Sequence, residues 1–446
     1  MGNSNVCAET NSVPMVFSLI VLVSSIVVPT TASSADSIAS IVDRYVENDR
    51  GSLIAIYRDL HMHPEVSEHE ERTAATVARH LREQGLDVST GVGGHGVVGI
   101  LQGGLPGPVV AYRADMDAIY EDAPDVVPFE SVNQGIRHVC GHDVHMTVAL
   151  GISGALSEVR DSLPGTVKFI FQPAEEIAIG AKLMIDDGVL MNPKPDAIFA
   201  VHTAPLEVGQ IGYVFDQVLP GLDLLTVTLT GDGDLSSAAQ AYSAVLHETS
   251  SVPSLESLTP KTIWGEGQTL QGRIVDPEEA DPREFIYSGV WDSRGVQGEN
   301  KWIISGFVRA SSDTSYAKAK QIITDRLSEI DGYGVDYELE YNVRSMPDTI
   351  NDRLLVKSTL QTLKSVLGES NSIFIDNAIP YFGEDFSYFQ QSIPGAIYWL
   401  GVANTDAGIS GMPHAPDFSV DEESIVVGTK TMANIILNYL QSGSGY

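Results

Sequence analysis

The sequence predicts an α/β protein whose mixed, largely parallel sheet carries helices on both faces, with a smaller α+β domain inserted into it. Apolar strand-like runs alternate with helical patterns along the first half of the chain, which is typical of βαβ units. The chain has 446 residues, of which 43% are hydrophobic and 19% charged, so a sizeable core can form. The pattern changes near Pro220 and Gly221 and returns to α/β near Asn351, which indicates the insertion.

The elements of the main domain follow one another in a regular order. A helical stripe of apolar residues covers 51–60. Residues 67–70 have the spacing of a capping box and predict the start of a second helix that ends at Gly85. The segments that follow are predicted as strands at 97–101, 109–114, 165–172 and 196–202, and as helices at 144–159 and 177–187.

The inserted region has a different order of elements. Between Leu222 and about Arg344 the pattern predicts strand, helix, two or more strands, helix and strand. This is the order of a βαββαβ, ferredoxin-like sandwich. The main domain is therefore expected to be discontinuous, formed by residues 36–219 and 345–446, with a lid-like domain at 220–344.

Residues 1–35 have most features of a signal peptide. An apolar run at 16–28 is shorter than the roughly 20 residues of a membrane-spanning helix, and small residues follow at 30–35. However, no Lys or Arg precedes Arg44, so the usual basic start is missing. We expect export to the periplasm or the cell exterior, with a start at Met15 or an uncleaved membrane anchor as alternatives.

The charge balance excludes several classes of partner. The chain has 26 basic and 59 acidic residues, a formal net charge of −33. Such a surface repels phosphate backbones and anionic lipids, which argues against nucleic-acid binding and membrane docking. Charge alone does not identify a substrate.

Two common enzyme signatures lack support. Gly91, Gly93 and Gly96 match the dinucleotide-binding glycine pattern, but a strand-like run follows them where that motif requires a helix. The sequence contains no Gly-x-Ser-x-Gly elbow and no His-Glu-x-x-His motif. A glycine-rich turn is therefore the better interpretation of residues 91–96.

The strongest local signal surrounds Cys140. The chain has two cysteines, Cys7 and Cys140, and removal of the leader would remove Cys7. His138, His142 and His145 lie close to Cys140 in sequence, and a thiolate and an imidazole two positions apart can bind one cation. A solvated or hydrogen-bonded cluster is the alternative.

Adjacent carboxylates form a second candidate group. Glu175 and Glu176 follow a buried-looking strand, where one could bind metal while the other accepts a proton from water. Acidic residues also favour a solvated helix start, which is the alternative. His202, at the end of the next predicted strand, and His414, in MPHAPDF, indicate little when each is considered alone.

Spacing favours a metal site over independent surface residues. The intervals from His142 to Glu176 and from Glu176 to His202 are 34 and 26 residues, and each contains one helix and one strand. These residues therefore recur at the carboxyl ends of consecutive strands, where open α/β sheets form their sites. Asp115 and Asp117 also follow a strand.

The motifs together resemble those of a known family. In the order seen in the aminoacylase and carboxypeptidase metallohydrolases, the chain contains LHMHPEVSEHE, YRADMDA, HVCGHDVHM, GTVKFIFQPAEE, AVH, FGEDFSYF and PHAPDF. It most resembles the amidohydrolase branch that includes hippurate hydrolases and plant auxin-conjugate hydrolases. The resemblance covers about residues 50–220 and 340–440.

This resemblance implies a catalytic domain that carries two divalent metal ions and an inserted lid that often serves as a dimer interface. Residue by residue, it implies Glu175 as the general base and Asp117 as a carboxylate near the metals. Zinc and manganese both suit a mixed set of thiolate, imidazole and carboxylate ligands. The implied metal ligands are Cys140, His142, Glu176, His202 and His414.

The lid departs from the family pattern. Family members carry a Gly-Gly-His-Ala-type stretch after the first lid strand, whereas residues 230–239 read TGDGDLSSAA without histidine. The family's Asn-Val-Ile-Pro stretch is not recognisable either. His247 is the single lid histidine, and a catalytic role and a solvated helix position both remain open for it. Homodimer formation through this lid stays an open expectation.

We therefore expect a metal-dependent amidohydrolase that cleaves an N-acyl amino acid or a similar small amide. Metal-activated water would attack, with Glu175 as the base. One alternative is a carboxypeptidase or dipeptidase that uses the same centre on small peptides. The other is a catalytically silent, metal-holding binding protein with a degenerate lid.

Overall fold

The computed structural model describes residues 1–4, 37–254, 284–375 and 378–443. Beyond its first four residues, the predicted signal peptide lies outside the described part of the chain, as does Cys7. Export therefore stays a prediction. Within the described residues, no helix is both long and apolar enough to cross a lipid bilayer.

Helices and strands alternate along the described chain much as the sequence predicts. The helices are α1 (Ile38–Met62), α2 (Glu71–Glu83), α3 (His142–Glu158), α4 (Gly180–Asp186), α5 (Leu235–Thr249), α6 (Asp313–Asp325), α7 (Arg353–Leu367), α8 (Ser387–Gln390) and α9 (Glu423–Ser442). The strands are β1 (Asp87–Val92), β2 (Gly96–Gln102), β3 (Leu105–Asp115), β4 (Ile119–Tyr120), β5 (Ile136–Arg137), β6 (Pro164–Gln172), β7 (Ala197–Glu207), β8 (Ile211–Tyr213), β9 (Asp216–Leu219), β10 (Leu222–Thr230), β11 (Ile286–Gly295), β12 (Lys301–Ala310), β13 (Asp336–Met346), β14 (Thr349–Asn351), β15 (Ser372–Phe374) and β16 (Gly395–Ala403).

An eight-stranded mixed sheet organises the main part of the molecule. Its strand order is β1-β2-β6-β3-β7-β16-β8-β15. The central strands β6, β3, β7 and β16 run parallel. At one edge β2 is antiparallel to β6 and to β1; at the other β8 is antiparallel to β16 and parallel to β15. The prediction of a mixed, largely parallel sheet is confirmed.

Helices cover both faces of this sheet. On one face α1, α3 and α9 enclose the larger apolar core, which includes Leu53, Ile152 and Ile436. On the other face α4 and α8 contribute Met184 and Phe389 to a second core. Burial of both faces explains why the central strands are almost continuously apolar.

A second sheet forms the lid. Its strands are antiparallel in the order β11-β12-β10-β13, and α5 and α6 cover one face. Val227, Tyr242, Ile304 and Ile323 are fully buried in a separate core between this sheet and its helices. The predicted α+β insertion is present, and the other face of its sheet contributes residues to the cavity described below.

Three local predictions need correction. Helix α2 starts at Glu71 without a side-chain cap, because the Ser67 hydroxyl instead donates to Asp117 Oδ2 at 2.6 Å. The helix predicted at 177–187 begins only at Gly180, since side-chain acceptors hold the preceding backbone in a loop. The strand predicted to end at His202 continues through β7 to Glu207.

The glycine-rich segment 91–96 is a turn between two strands. It joins β1 to β2, which pair as an antiparallel hairpin. Gly93 has φ +62°, and a Cβ there would lie 2.5 Å from the backbone nitrogen of Met184. Backbone conformation and close approach therefore explain the glycine.

Candidate metal centre

The predicted site residues lie at one edge of the large sheet. Asp115 ends β3 and Glu175 follows β6, two neighbouring parallel strands, and β7 beside β3 contains His202. The remaining predicted ligands lie just before α3, at its first residue and in the loop before α9. The sheet thus collects residues that are far apart in sequence, as parallel strand ends do in open α/β folds.

The structure brings the predicted ligands together. The Cys140 Sγ lies 3.4 Å from His202 Nε2, and His142 Nε2 lies 3.7 Å from Glu176 Oε1. On the far side, His414 Nε2 is 3.5 Å from Glu176 Oε2. Donor atoms of Cys140, His142 and His202 lie within 4.8 Å of one another, as do those of Cys140, Glu176 and His414.

Unsatisfied polar atoms show that these residues fit a cation. His142 Nε2 and Glu176 Oε1 are both buried and have no hydrogen-bond partner among the described residues. An unpaired buried polar atom costs about 1–3 kcal/mol, so such atoms call for an explanation. Two divalent ions held by thiolate, imidazole and carboxylate ligands would satisfy both atoms.

Hydrogen bonds to the backbone orient the two imidazoles. His142 Nδ1 donates to the Asp117 carbonyl at 2.8 Å, and His202 Nδ1 donates to the Thr203 carbonyl at 2.9 Å. Each bond fixes a tautomer whose Nε2 carries the free lone pair. His414 is held differently, with a left-handed φ of 61° and its N–H donating to the Val139 carbonyl at 2.7 Å.

The Asp117 carboxylate orients the two adjacent glutamates. Its Oδ1 accepts the Glu175 N–H at 3.1 Å, and its Oδ2 accepts the Glu176 N–H at 3.0 Å. Ala174 and Ala178, which flank the pair, both have positive φ, at 53° and 57°. Both carboxylates approach His142 Nε2, Glu175 at 3.8 Å and Glu176 at 3.7 Å, but their other neighbours differ: Glu176 also contacts His414, and Glu175 forms a second group with Glu384 and Asp385.

The electrostatics of the site favour a bound cation. Burial, reinforced by Glu384 and Glu176, raises the pKa of Glu175 well above its usual range. Burial also raises the pKa of the Cys140 thiol, and the glutamates add to this. For His142, burial favours the neutral ring, but Asp115 and the other carboxylates outweigh it and raise the pKa to about 10. A nearby cation would reverse these shifts by favouring thiolate, carboxylate and neutral imidazole.

His145 and His138 belong to the same sequence cluster but occupy different surroundings. His145 uses both ring nitrogens, with Nδ1 2.6 Å from Asp115 Oδ1 and Nε2 accepting the Thr203 N–H at 2.8 Å. It therefore supports the site and has no free ligand atom. His138 is buried with neither ring nitrogen hydrogen-bonded among the described residues, and burial lowers its pKa to about 4.

A buried ion network behind the site was missed by the sequence analysis. Arg113, fully buried on β3, donates to Asp115 Oδ2 at 2.5 Å, to Glu384 Oε1 at 2.9 Å and to Asp385 Oδ1 at 3.0 Å. It also donates to Gln172 Oε1 at 2.8 Å. Two signals could have revealed it: a charged residue inside an apolar strand, and two acidic residues inside the apolar stretch FGEDF.

A second missed network contains His61. Its Nδ1 lies 2.7 Å from Asp143 Oδ2 and its Nε2 lies 3.1 Å from Asp125 Oδ2, with the ring buried. Burial favours the neutral ring, but the hydrogen bonds to Asp125 and Asp143 outweigh it and raise the pKa of His61 to about 9. Arg137 pairs with Asp125 at 3.2 Å and donates to the Pro416 carbonyl at 2.9 Å. The network therefore ties the end of α1 to the start of α3 and to the loop that carries His414.

A cavity of about 580 Å³ lies over the metal centre. Glu175, Glu176 and His414 line one side, and lid residues that include Trp291 and Arg309 line another. The Arg309 guanidinium donates only to the carbonyls of Pro220 and Gly221, at 3.3 and 3.4 Å, and forms no ion pair among the described residues.

His247 does not line this cavity. It is exposed near the end of α5 and contributes to a separate cavity of about 410 Å³, together with Arg309 and Tyr287. The geometry therefore places the single lid histidine away from the metal centre. Dimerisation through the lid stays a prediction.

Comparison with known proteins is consistent with this geometry. The chain is 32% identical to a probable hydrolase from Synechocystis sp. over 402 residues, 87% of this chain and 96% of that protein. It is 30% identical to an IAA-amino acid hydrolase from Arabidopsis thaliana, covering 88% and 87% of the two chains. It is also 30% identical to a thermostable carboxypeptidase from Saccharolobus solfataricus, covering 87% and 95%.

A solved structure and a family profile agree with these relatives. The crystal structure of a dinuclear metal-binding peptidase from Bacillus subtilis superposes with a TM-score of 0.68, at 26% identity, over 89% of this chain and 99% of that one. The profile of peptidase family M20/M25/M40 matches residues 111–438. This chain therefore belongs to peptidase family M20/M25/M40 and is a metal-dependent hydrolase of amide bonds.

Proposed function

We propose that the protein hydrolyses N-acyl amino acids, with two divalent ions at the centre and Glu175 as the general base. The observation that carries the substrate class is Arg309, a guanidinium in the cavity that contains Glu175 and without a carboxylate partner among the residues that the structure describes. Arg binds carboxylates through paired N–H donors, and the carboxylate of an amino acid supplies that partner.

The scarcity of carboxylates in the described cavity lining favours a substrate with an acylated amine over one with a free ammonium group. Among the described lining residues, the only carboxylates are Glu175 and Glu176. Both have roles in the proposed chemistry, so the ammonium group of a dipeptide would find no further carboxylate. An acyl group removes that charge, which is why N-acyl amino acids fit better than free peptides.

The residues divide the chemical work. Cys140, His142, Glu176, His202 and His414 would hold the metal ions, for which zinc and manganese are both suitable. Bound there, the ions supply polarisation of the scissile carbonyl and a lowered pKa for the attacking water.

Glu175 moves the proton. It accepts a proton from the attacking water as the new carbon–oxygen bond forms, and it returns that proton to the nitrogen as the carbon–nitrogen bond breaks. Asp117 accepts the N–H groups of both residues and thereby holds the backbone of Glu175 and Glu176 in the turn after β6.

The two neighbouring glutamates provide the test. Glu175→Gln should keep its metal and lose about 10²–10⁴-fold in turnover, because the amide cannot accept a proton. Glu176→Gln should lose metal and activity together, and excess cation should restore part of the activity. For both variants, elemental analysis measures the bound metal, and the hydrolysis of N-acetyl amino acids measures turnover. Turnover of Glu175→Gln above about a tenth of wild type would exclude it as the base.

A carboxypeptidase activity is the second candidate, supported by the similarity to the thermostable carboxypeptidase. A panel that pairs each N-acetyl amino acid with a dipeptide of the same C-terminal residue separates the two activities. A higher kcat/KM for the dipeptides than for the matched N-acetyl amino acids would overturn our proposal in favour of carboxypeptidase activity. Metal binding without turnover across the panel would instead indicate a silent binding protein.

A further inference from the structure

We propose that Trp291 and the aromatic rings beside it form a subsite for an aromatic side chain on the amino-acid half of the substrate. The inference rests on the proposed function, because it assumes that Arg309 holds the substrate carboxylate. Four rings carry it, those of Tyr287, Trp291, Phe307 and Tyr381, none of which belongs to the metal centre.

Trp291 occupies a special position on the lid. It is the extra residue of a β-bulge between β11 and β12, where the pairing moves from Val290 opposite Gly306 to Asp292 opposite Ser305. A bulge re-aims the side chain of its unpaired residue and is common beside binding sites. Trp291 remains 56% exposed although it is the largest apolar side chain type.

The four rings form a continuous group. Trp291 stacks on Phe307 with centroids 5.1 Å apart and an interplanar angle of 23°. Tyr287 meets Phe307 edge-on at 5.1 Å and Tyr381 edge-on at 4.9 Å. Phe307 thereby fixes one face of the indole, and the exposed part of the ring is available to a ligand.

The group lies where two cavities meet. Trp291, Arg309 and Tyr381 line the cavity over the metal centre, and the same three residues line the second cavity of about 410 Å³. An amino acid's carboxylate and side chain leave the same Cα atom. A carboxylate at Arg309 therefore brings the side chain beside these rings, whereas the acyl group lies on the far side of the scissile bond.

The chemistry of the second cavity selects among side chains. Its described lining contains no acidic residue, so a basic side chain finds no partner there. Aromatic pairs contribute about 0.5–1.5 kcal/mol beyond the area that they bury. A neutral aromatic side chain therefore suits the site better than a charged or small one.

The experiment compares three substrates: N-acetyl-L-phenylalanine, N-acetyl-L-alanine and N-benzoyl-L-alanine. We expect Trp291→Ala to lower the kcat/KM ratio of acetylphenylalanine to acetylalanine by about tenfold, the upper part of the stacking range. Trp291→Phe should restore most of that ratio, and Trp291→Leu, which keeps apolar bulk and supports folding, should restore less. Tyr337→Ala, on β13 and outside both cavities, is the matched control and should leave the ratio unchanged.

Calorimetry separates this inference from the proposed function. Binding of the same compounds to Glu175→Gln, with and without Trp291→Ala, reports the subsite even if nothing is hydrolysed. Turnover of all three substrates with no change in the ratio would overturn the subsite and leave the function standing. If no substrate is hydrolysed but Trp291→Ala abolishes the selective binding of acetylphenylalanine, the subsite stands and the proposed function is overturned. A larger effect of Trp291→Ala on benzoylalanine would place the aromatic group on the acyl half and overturn the proposal.

Discussion

Two arginines, one behind the metal centre and one in the lid, have opposite surroundings. Arg113 is fully buried and donates to three carboxylates, those of Asp115, Glu384 and Asp385. Arg309 is partly buried beside the cavity and, within the described part of the chain, donates only to two backbone carbonyls. Burial disfavours the charged guanidinium and so acts to lower the pKa of both arginines. The carboxylates outweigh burial and raise the pKa of Arg113, whereas burial lowers the pKa of Arg309 to about 10.

The difference separates a charge that holds the fold from one that is available to a ligand. A buried cation whose partners come from the same chain is compensated before any substrate arrives. A guanidinium that lacks a carboxylate, and that faces a cavity, gains most when an anion enters. The buried arginine behind the candidate metal centre thus has its counter-charges within the chain, whereas the arginine of the lid does not among the described residues.

The largest expected effect is the loss of stability on removing the buried charge of Arg113. Arg113→Met should destabilise the protein by about 3–5 kcal/mol, because it leaves buried carboxylates without their cation. Urea unfolding with metal present measures this. The matched control is Arg294→Met, whose side chain is 69% exposed beside Asp292, and it should cost less than about 1 kcal/mol. A loss for Arg113→Met as small as the control's would mean that the carboxylates take up protons instead.

The contribution of the buried His61 network to stability can be tested by measuring the free energy of unfolding as a function of pH. The folded pKa of His61 is about 9, against 6.5 when unperturbed. Since folding raises this pKa, the stabilisation is complete below about pH 6.5 and is lost as pH rises through about 9. The shift corresponds to about 3 kcal/mol. Unfolding free energies of wild type should therefore fall relative to those of His61→Gln across this range. Parallel pH curves for the two proteins would show that His61 is not held as an imidazolium.

The smallest effect is expected in the lid, and it should appear in binding rather than stability. Arg309→Met should raise KM for N-acetyl amino acids by about 10- to 100-fold, the range for losing a hydrogen bond to a charged group. Its unfolding free energy should stay within about 1 kcal/mol of wild type, because the change breaks no ion pair to any residue that the structure describes. Arg309→Lys should recover part of the KM. An unchanged KM with a large loss of stability would make Arg309 a structural residue like Arg113.

Much of the candidate site could be predicted from residue types and spacing. His142, Glu176 and His202 were connected because one helix and one strand separate each candidate from the next, and the structure brings ligand atoms of His142 close to those of both Glu176 and His202. The same reasoning failed for Arg113 and Glu384, which are 271 residues apart in sequence. No periodicity links two such positions, since their contact depends on how separate strands and loops are arranged.

Local structure was predicted less well where side chains compete for the backbone. The capping-box spacing at 67–70 is present, but Asp117 takes the Ser67 hydroxyl and α2 starts without that cap. Asp117 and Glu70 also accept backbone N–H groups of residues 174–176, which delays α4 to Gly180. In each case a tertiary hydrogen bond outweighs a local preference of about 1 kcal/mol.

The sequence by itself determined the fold class and the inserted lid, because helix and strand periodicity are properties of the chain, and its resemblance to a known family implied the candidate metal ligands. Only the tertiary structure decided which charges are compensated and which remain available, since that depends on partners brought together from distant segments. Arg113 and Arg309 both lie in strands with buried neighbours. Folding supplies three carboxylates to Arg113 and a cavity to Arg309.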